Sequence, residues 1–198
     1  MKYYLMWQDV EIKGKWILGD IGYVNNWNFI DPSVNFMEPG GYSSKVRFDG
    51  AEVDYSLAGY ASVPVLSEKA VISLMGLSEI DEPYRNVVFA PLDIEKKVLK
   101  QNYFAMIIET QIDCVDEENS EFSFFDKNDP VRPELAGAYR NFFNLVIDTS
   151  KVGGRHIFRL KKYLGALIVS QEVKRRFESA RVTGVAFDLL NGSKKVVA

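Results

Sequence analysis

The chain spells one phrase twice. YSLAGYASVPVLSEKAV (Tyr55 to Val71) and FRLKKYLGALIVSQEVK (Phe158 to Lys174) align without a gap. They share Leu57/Leu160, Tyr60/Tyr163 and Ser67/Ser170, and Tyr55/Phe158, Val65/Ile168, Leu66/Val169 and Glu68/Gln171 are similar pairs. In each copy a strand-like stretch, VDYSLAGY or HIFRLKKY, precedes a short apolar run, VPVLS or ALIVS, that stops at a serine followed by helix formers. Ser67 and Ser170 are placed to cap helices, because a side-chain oxygen there accepts from a backbone N–H that has no partner inside the helix. Glu68 and Glu172 fall in the first turns, where the helix dipole favours negative charge. Val173, Phe177 and Ala180 then recur at i, i+4 and i+7, and Ala70, Val71, Leu74 and Met75 do the same work in the first copy.

Each helix leads into a further strand-like run, NVVFAPL or TGVAFDLL, with Phe89 opposite Phe187 once five extra residues are allowed in the first copy. A separation of about one hundred residues is too long for a solenoid. The pattern predicts an α+β fold: two related strand–capped helix–strand units, mostly antiparallel sheet, and mixed N-terminal strands and loops, with scope for pseudo-twofold symmetry. Residues 1–50 are expected to form a strand and loop region packed on an α+β domain of residues 51–198. The repeat occupies about 55–92 and 158–190, all within one compact unit.

KYYLMW and KWILGDIGYV read as the first strands, and NNWNFIDPSVNFMEPGGYSS as loop held by aromatics. QNYFAMIIETQIDCV reads as one long strand, DEENSEFSFFDKNDPVRPE as a polar loop and YRNFFNLVIDTS as another strand. The strands flanking the acidic loop could pair antiparallel, although the loop is long for a hairpin.

The start MKYYLMWQDVEIKGKW lacks the apolar run of a signal peptide, and no apolar run is long enough to span a bilayer. One cysteine cannot form an internal disulfide, so a cytoplasmic location is expected. Net charge is −3, unevenly spread: residues 150–198 hold eleven Lys/Arg against three Asp/Glu, and the rest is correspondingly acidic. A single histidine, His156, excludes paired-histidine metal sites and reads as a turn residue with a local hydrogen bond. Cys114 ends an apolar strand pattern and reads as a half-buried structural thiol. VGGRH and PGGY lack the spacing of phosphate loops. The acidic run DCVDEENSEFSFFDKND lacks the ligand spacing and glycine of a calcium loop. No cofactor or metal is expected. KRRFESAR is the strongest basic cluster. It reads first as a solvated helix face, and nucleic acid is not the expected partner.

Asp116, Glu117, Glu118 and Glu121 sit beside Phe122, Phe124 and Phe125. Acids interleaved with aromatics suit the covering of a basic protein surface, with carboxylates steering a cationic partner and aromatics giving desolvated anchors. The bland alternative is that the phenylalanines belong to the core and the acids to a solvated loop.

The C-terminal HIFRLKKYLGALIVSQEVKRRFESARVTGVAFDLL resembles a family of bacterial immunity proteins encoded beside polymorphic toxins, formerly a domain of unknown function and typified by a myxobacterial member. Gly154, His156, Phe158, Arg159 and Leu160 match its GxHxFRL phrase, and Ser170, Val173, Phe177, Val182, Gly184, Val185 and Phe187 match the following pattern. The segment from about Trp16 to Gly50 carries none of the resemblance. These motif residues look fold-defining, and the resemblance implies no catalytic residue. It implies a non-enzymatic role: stoichiometric binding and neutralisation of a cognate toxin domain, with the acidic–aromatic segment as the expected interface and the N-terminal third as second choice. Two other classes remain open. One is an enzyme of unfamiliar type using Asp and Arg side chains; the other is a nucleic-acid-binding regulatory module using the C-terminal basic helix.

Overall fold

The computed structural model describes residues 1–32, 41–81, 86–95 and 98–190. Strands β1 (Tyr3–Gln8), β2 (Ile17–Ile21) and β3 (Tyr42–Phe48) open the chain. The hairpin β4 (Tyr55–Ala58) and β5 (Val63–Ser67) runs into helix α1 (Glu68–Leu74). Strands β6 (Val87–Glu95), β7 (Tyr103–Ile108), β8 (Gln111–Ile112), β9 (Glu121–Phe124) and β10 (Tyr139–Asn144) follow. A second hairpin, β11 (Ile157–Leu160) and β12 (Tyr163–Ser170), runs into α2 (Gln171–Ser179) and then β13 (Val185–Leu189). The described residues are mostly β-sheet with two helices, an α+β arrangement.

Both serines cap as their local chemistry requires. Ser67 Oγ accepts from the Ala70 N–H (3.3 Å) and Ser170 Oγ from the Val173 N–H (3.4 Å). Each hydroxyl is also held by a residue of the preceding strand region. Ser67 donates to Asp54 Oδ1 (2.9 Å), and Ser170 Oγ lies 2.8 Å from His156 Nδ1. Ser170→Ala removes a cap and one partner of His156. A fall of about 1–2 kcal/mol in unfolding free energy is expected, read from the urea midpoint at unchanged slope.

One sheet has the order β13-β1-β12-β11-β8, a second β2-β3-β6-β7-β5-β4, and β9 pairs with β10 in a separate ribbon. All pairs of named strands are antiparallel except β3/β6 and β8/β11. β5 and β6 flank β7, with α1 in the connection between them; β12 and β13 flank β1, with α2 in theirs. Strands from residues 1–50 are built into both sheets, β1 between β12 and β13 and β3 beside β6.

The short apolar runs are buried on both faces, which their side-chain alternation makes possible. Leu66, Met106, Ile108, Leu167 and Val169 meet the helices in a central core with Ala70, Leu74, Val173 and Phe177. The alternate residues Val63, Val65, Ala105 and Ile107 face a second core around Trp16 and Phe29. Ala166 and Ile168 face a third with Tyr3, Cys114, Tyr139 and Phe158. Burying a side chain such as Phe177 contributes about 2–3 kcal/mol. Met75, expected on the apolar stripe, is instead 45% exposed, because α1 ends at Leu74 and Met75 takes the extended backbone of the cap.

The middle of the chain departs from expectation. QNYFAMIIETQIDCV is not one strand: β7 ends at Ile108, and β8 joins the other sheet beside β11. The flanks of the acidic segment meet only at the Val115/Ile147 bridge. β10 pairs instead with β9, a strand inside the expected polar loop. The expected N-terminal loop holds a 3-10 turn at Asn26–Phe29 and the start of β3, and its residues 33–40 lie outside the described set. The two copies of the phrase also close differently. β4 and β5 pair Ala58 with Val63 around a four-residue turn, whereas β11 and β12 pair Leu160 with Tyr163 around two. Tyr60 is thus an exposed turn residue, while its counterpart Tyr163 is a half-buried strand residue.

Candidate functional site

The acidic–aromatic segment folds as a turn followed by β9. Asp116 Oδ2 accepts from Asn119 Nδ2 (2.8 Å), closing a turn whose Ser120 hydroxyl donates to Val146 O (3.1 Å). Glu117 accepts from the Tyr139 hydroxyl. Glu118 and Glu121 are exposed. Asp113, Asp116, Glu117, Glu118 and Asp148 line a broad acidic depression whose other charges are Lys151 and Lys162.

The phenylalanines divide between the two expected roles. Phe122 is half-buried, edge-on to Tyr139 (5.1 Å) and packed against Phe142 (5.9 Å), on the third core. Phe124 stacks on Tyr139 (5.0 Å) yet stays 45% exposed. Phe125 is half-buried under the Arg140 guanidinium, 5.6 Å from the ring centroid. Phe143, on the facing strand, is 68% exposed. Glu121 and the aromatics therefore lie on or beside the ribbon and Asp116, Glu117 and Glu118 in the turn that leads to it, where Asp116 and Glu117 hold local hydrogen bonds.

The family-motif residues serve the scaffold in most cases. Phe158, Leu160 and Phe177 are core. Phe187 is half-buried, edge-on to Tyr4 and Phe177. Gly154 has a positive φ in the turn before β11. The His156 backbone N–H donates to the buried carboxylate of Glu79, which also accepts from the Ser78 hydroxyl. Gly184 is buried against β4 at φ +89°. Arg159 differs: it is 2% exposed, Nη1 donates to Leu164 O (2.6 Å), and Nε and Nη2 have no hydrogen-bond partner among the described residues. Burial lowers its pKa to about 10, so it stays cationic at neutral pH. It lines a cleft of about 480 Å³ between the two sheets.

The reactive groups are quiet. Cys114 is fully buried rather than half-buried; burial, with Asp113 and Asp148 nearby, pushes its thiol up to about 12 and keeps it protonated. No group of three His, Cys, Asp or Glu among the described residues could hold a metal ion, and no helix among them is long and apolar enough to cross a membrane. On α2, Arg175 and Arg176 both donate to Glu172, holding its carboxyl down to about 2, and Lys174 pairs with Glu178. Each cation of α2 thus has a carboxylate partner on its own helix.

Sequence reasoning missed Asp54 and Glu79, buried carboxylates that tie distant segments together, and the apolar rim of Trp7, Phe143 and Leu189 around the Arg159 cleft. Nothing local marks an acid as buried. The only available signal was that Asp54 and His156 stand 13 and 14 residues before their cap serines.

No curated protein matches the chain. The immunity protein family Imm11 matches residues 81–191, more than half of its length, from the segment before β6 through the acidic–aromatic ribbon, α2 and β13. On that match the chain belongs to the Imm11 immunity protein family.

Proposed function

We propose that this protein neutralises a cognate toxin domain by binding it stoichiometrically in the cytoplasm, and turns over no substrate itself. Membership of an immunity family carries the reading. The buried, protonated Cys114 supports it, and so does the burial of Ser170, the hydroxyl beside the His156 imidazole, whose oxygen is spent on the Val173 N–H of the helix cap and is closed to a substrate. We read the two hairpin–helix units as products of duplication, because β5, β7 and β6 have the same order as β12, β1 and β13.

The face we assign to the toxin is the β9–β10 ribbon with its acidic depression. Exposed Phe124 and Phe143 supply anchor area on the two strands, and the carboxylates of the depression formed by the preceding turn would steer a basic partner. Asp116 and Glu117 are poor probes, being engaged in local hydrogen bonds. The substitution Glu118→Lys reverses charge at an exposed position. It is expected to weaken toxin binding at least tenfold and to shift the melting temperature by only a few degrees.

The broader test is coexpression with the toxin domain encoded beside this gene. Relief of growth arrest and copurification of a complex are expected; continued arrest with no complex would remove the reading.

A further inference from the structure

We propose that the cleft at Arg159 receives a carboxylate side chain from the toxin domain, with the buried guanidinium as its specificity anchor. The inference rests on the immunity reading and adds a chemical identity for the inserted group.

Arg159 is anchored by one bond, Nη1 to Leu164 O, and its Nε and Nη2 are buried with no hydrogen-bond partner among the described residues. A buried cation left this way is costly, and an apolar side chain of similar length would serve the fold better. The buried phenol of Tyr55, which acts electrostatically on Arg159, carries no charge at neutral pH because burial raises its pKa. The two free donors have the fork geometry that a carboxylate fits. Both are shielded from water, in surroundings where a charge-assisted bond is strong, and the inserted carboxylate reaches them only if the guanidinium turns toward the cleft.

The cleft has room for such a group and a rim that asks for a protein. Its volume is about 480 Å³, within the range of ligand sites. Trp7 (41% exposed), Phe143 (68%) and Leu189 (48%) line it, an apolar margin of the kind that surrounds a buried polar contact in protein interfaces. Exposed Asp188 also lines it and opposes any anion, a doubly charged phosphate more than a carboxylate. One wall is β10, whose Phe142 packs against Phe122 of the acidic–aromatic ribbon. The cleft is therefore continuous with the face already assigned to the toxin.

The test separates binding from folding. Arg159→Met removes an unpaired buried charge, so its melting temperature should equal or exceed that of the unsubstituted protein. Its Kd for the coexpressed toxin domain, by calorimetry, should rise at least about tenfold, the usual effect of losing a hydrogen bond to a charged group. Phe143→Ser, on the exposed rim, should weaken binding with little change in melting temperature, and it stands as the test if Arg159→Met fails to fold. Toxin affinity within twofold of the unsubstituted protein for Arg159→Met, or for Phe143→Ser where Arg159→Met does not fold, would overturn the inference while leaving the immunity reading intact. Stabilisation of the unsubstituted protein by acetate alone, with toxin affinity unchanged in the variants, would assign the cleft to a small carboxylate and also overturn it. Failure of the unsubstituted protein to bind the toxin would remove both.

Discussion

Gly184→Ala is expected to lower the melting temperature by about 6–12 °C, corresponding to about 3 kcal/mol for a chain of this size. Two costs combine. Gly184 has φ +89°, a region that side chains with a Cβ rarely adopt, and forcing alanine there costs about 1–2 kcal/mol. A Cβ would also stand 2.3 Å from Tyr55 O and 2.9 Å from Val53 Cβ. The first obstacle is strand backbone rather than the yielding end of a side chain, so the segment before β13 must move away from β4. That movement would break the Tyr55 N–H to Thr183 O bond (2.9 Å), which joins the two halves of the chain. Gly153→Ala is the control. It has φ +63° with nothing within 4 Å of a built Cβ, so only the backbone cost of about 1 kcal/mol applies. Equal melting temperatures for the two variants would mean that Gly184 and β4 do not approach as described.

Asp54→Asn is expected to cost about 3 kcal/mol and to flatten the acid limb of the stability curve. Asp54 is buried and accepts from the Ser67 hydroxyl (2.9 Å), Gln101 Nε2 (3.1 Å), the Thr183 N–H (2.8 Å) and the Thr183 hydroxyl (2.8 Å), with Lys69 Nζ at 2.7 Å. Asparagine keeps the shape but turns an amide donor toward some of these donors and leaves Lys69 without its counter-charge. Burial alone would raise the Asp54 pKa, but the bonds from Lys69, Thr183 and Ser67 outweigh it and bring the carboxyl down to about 2. A carboxyl whose folded pKa lies below its unfolded value stabilises the fold above the unfolded value, near 4, and loses that contribution as pH falls toward 2. The shift corresponds to about 2 kcal/mol. Urea midpoints between pH 6 and pH 2 should fall more steeply in the unsubstituted protein than in Asp54→Asn across that window. Parallel curves would show that the carboxyl is not held low.

What could be read along the chain was chemistry of short reach. The caps at Ser67 and Ser170 need only a hydroxyl and an N–H three residues on, so the sequence placed both helix starts. The doubly buried strands could be recognised from their unbroken apolar runs, and the Phe158–Leu160 and Gly184–Phe187 phrases marked the family that residues 81–191 match. β9 was missed because EFSF carries its strand pattern in four residues amid acids, where the polar composition dominates. The break between β7 and β8 was missed because Glu109 and Thr110 carry no glycine or proline to mark a change of sheet. The acidic–aromatic segment was found as a composition, but which of its acids are engaged depended on Tyr139 and Asn119.

By itself the sequence determined the capped helices, the apolar strands that lead into them, the absence of a paired-histidine site and the family. Tertiary structure alone decided that β1 lies between β12 and β13, that Asp54 is bound by Thr183 at a separation of 129 residues, and that Arg159 is buried beside a cleft with two donors unpartnered among the described residues. The physical reason is range. Capping and side-chain alternation act over a few residues and leave a pattern in the letters. The surroundings of a buried charge are assembled from segments brought together only when the sheets pack, and no window of the chain contains them.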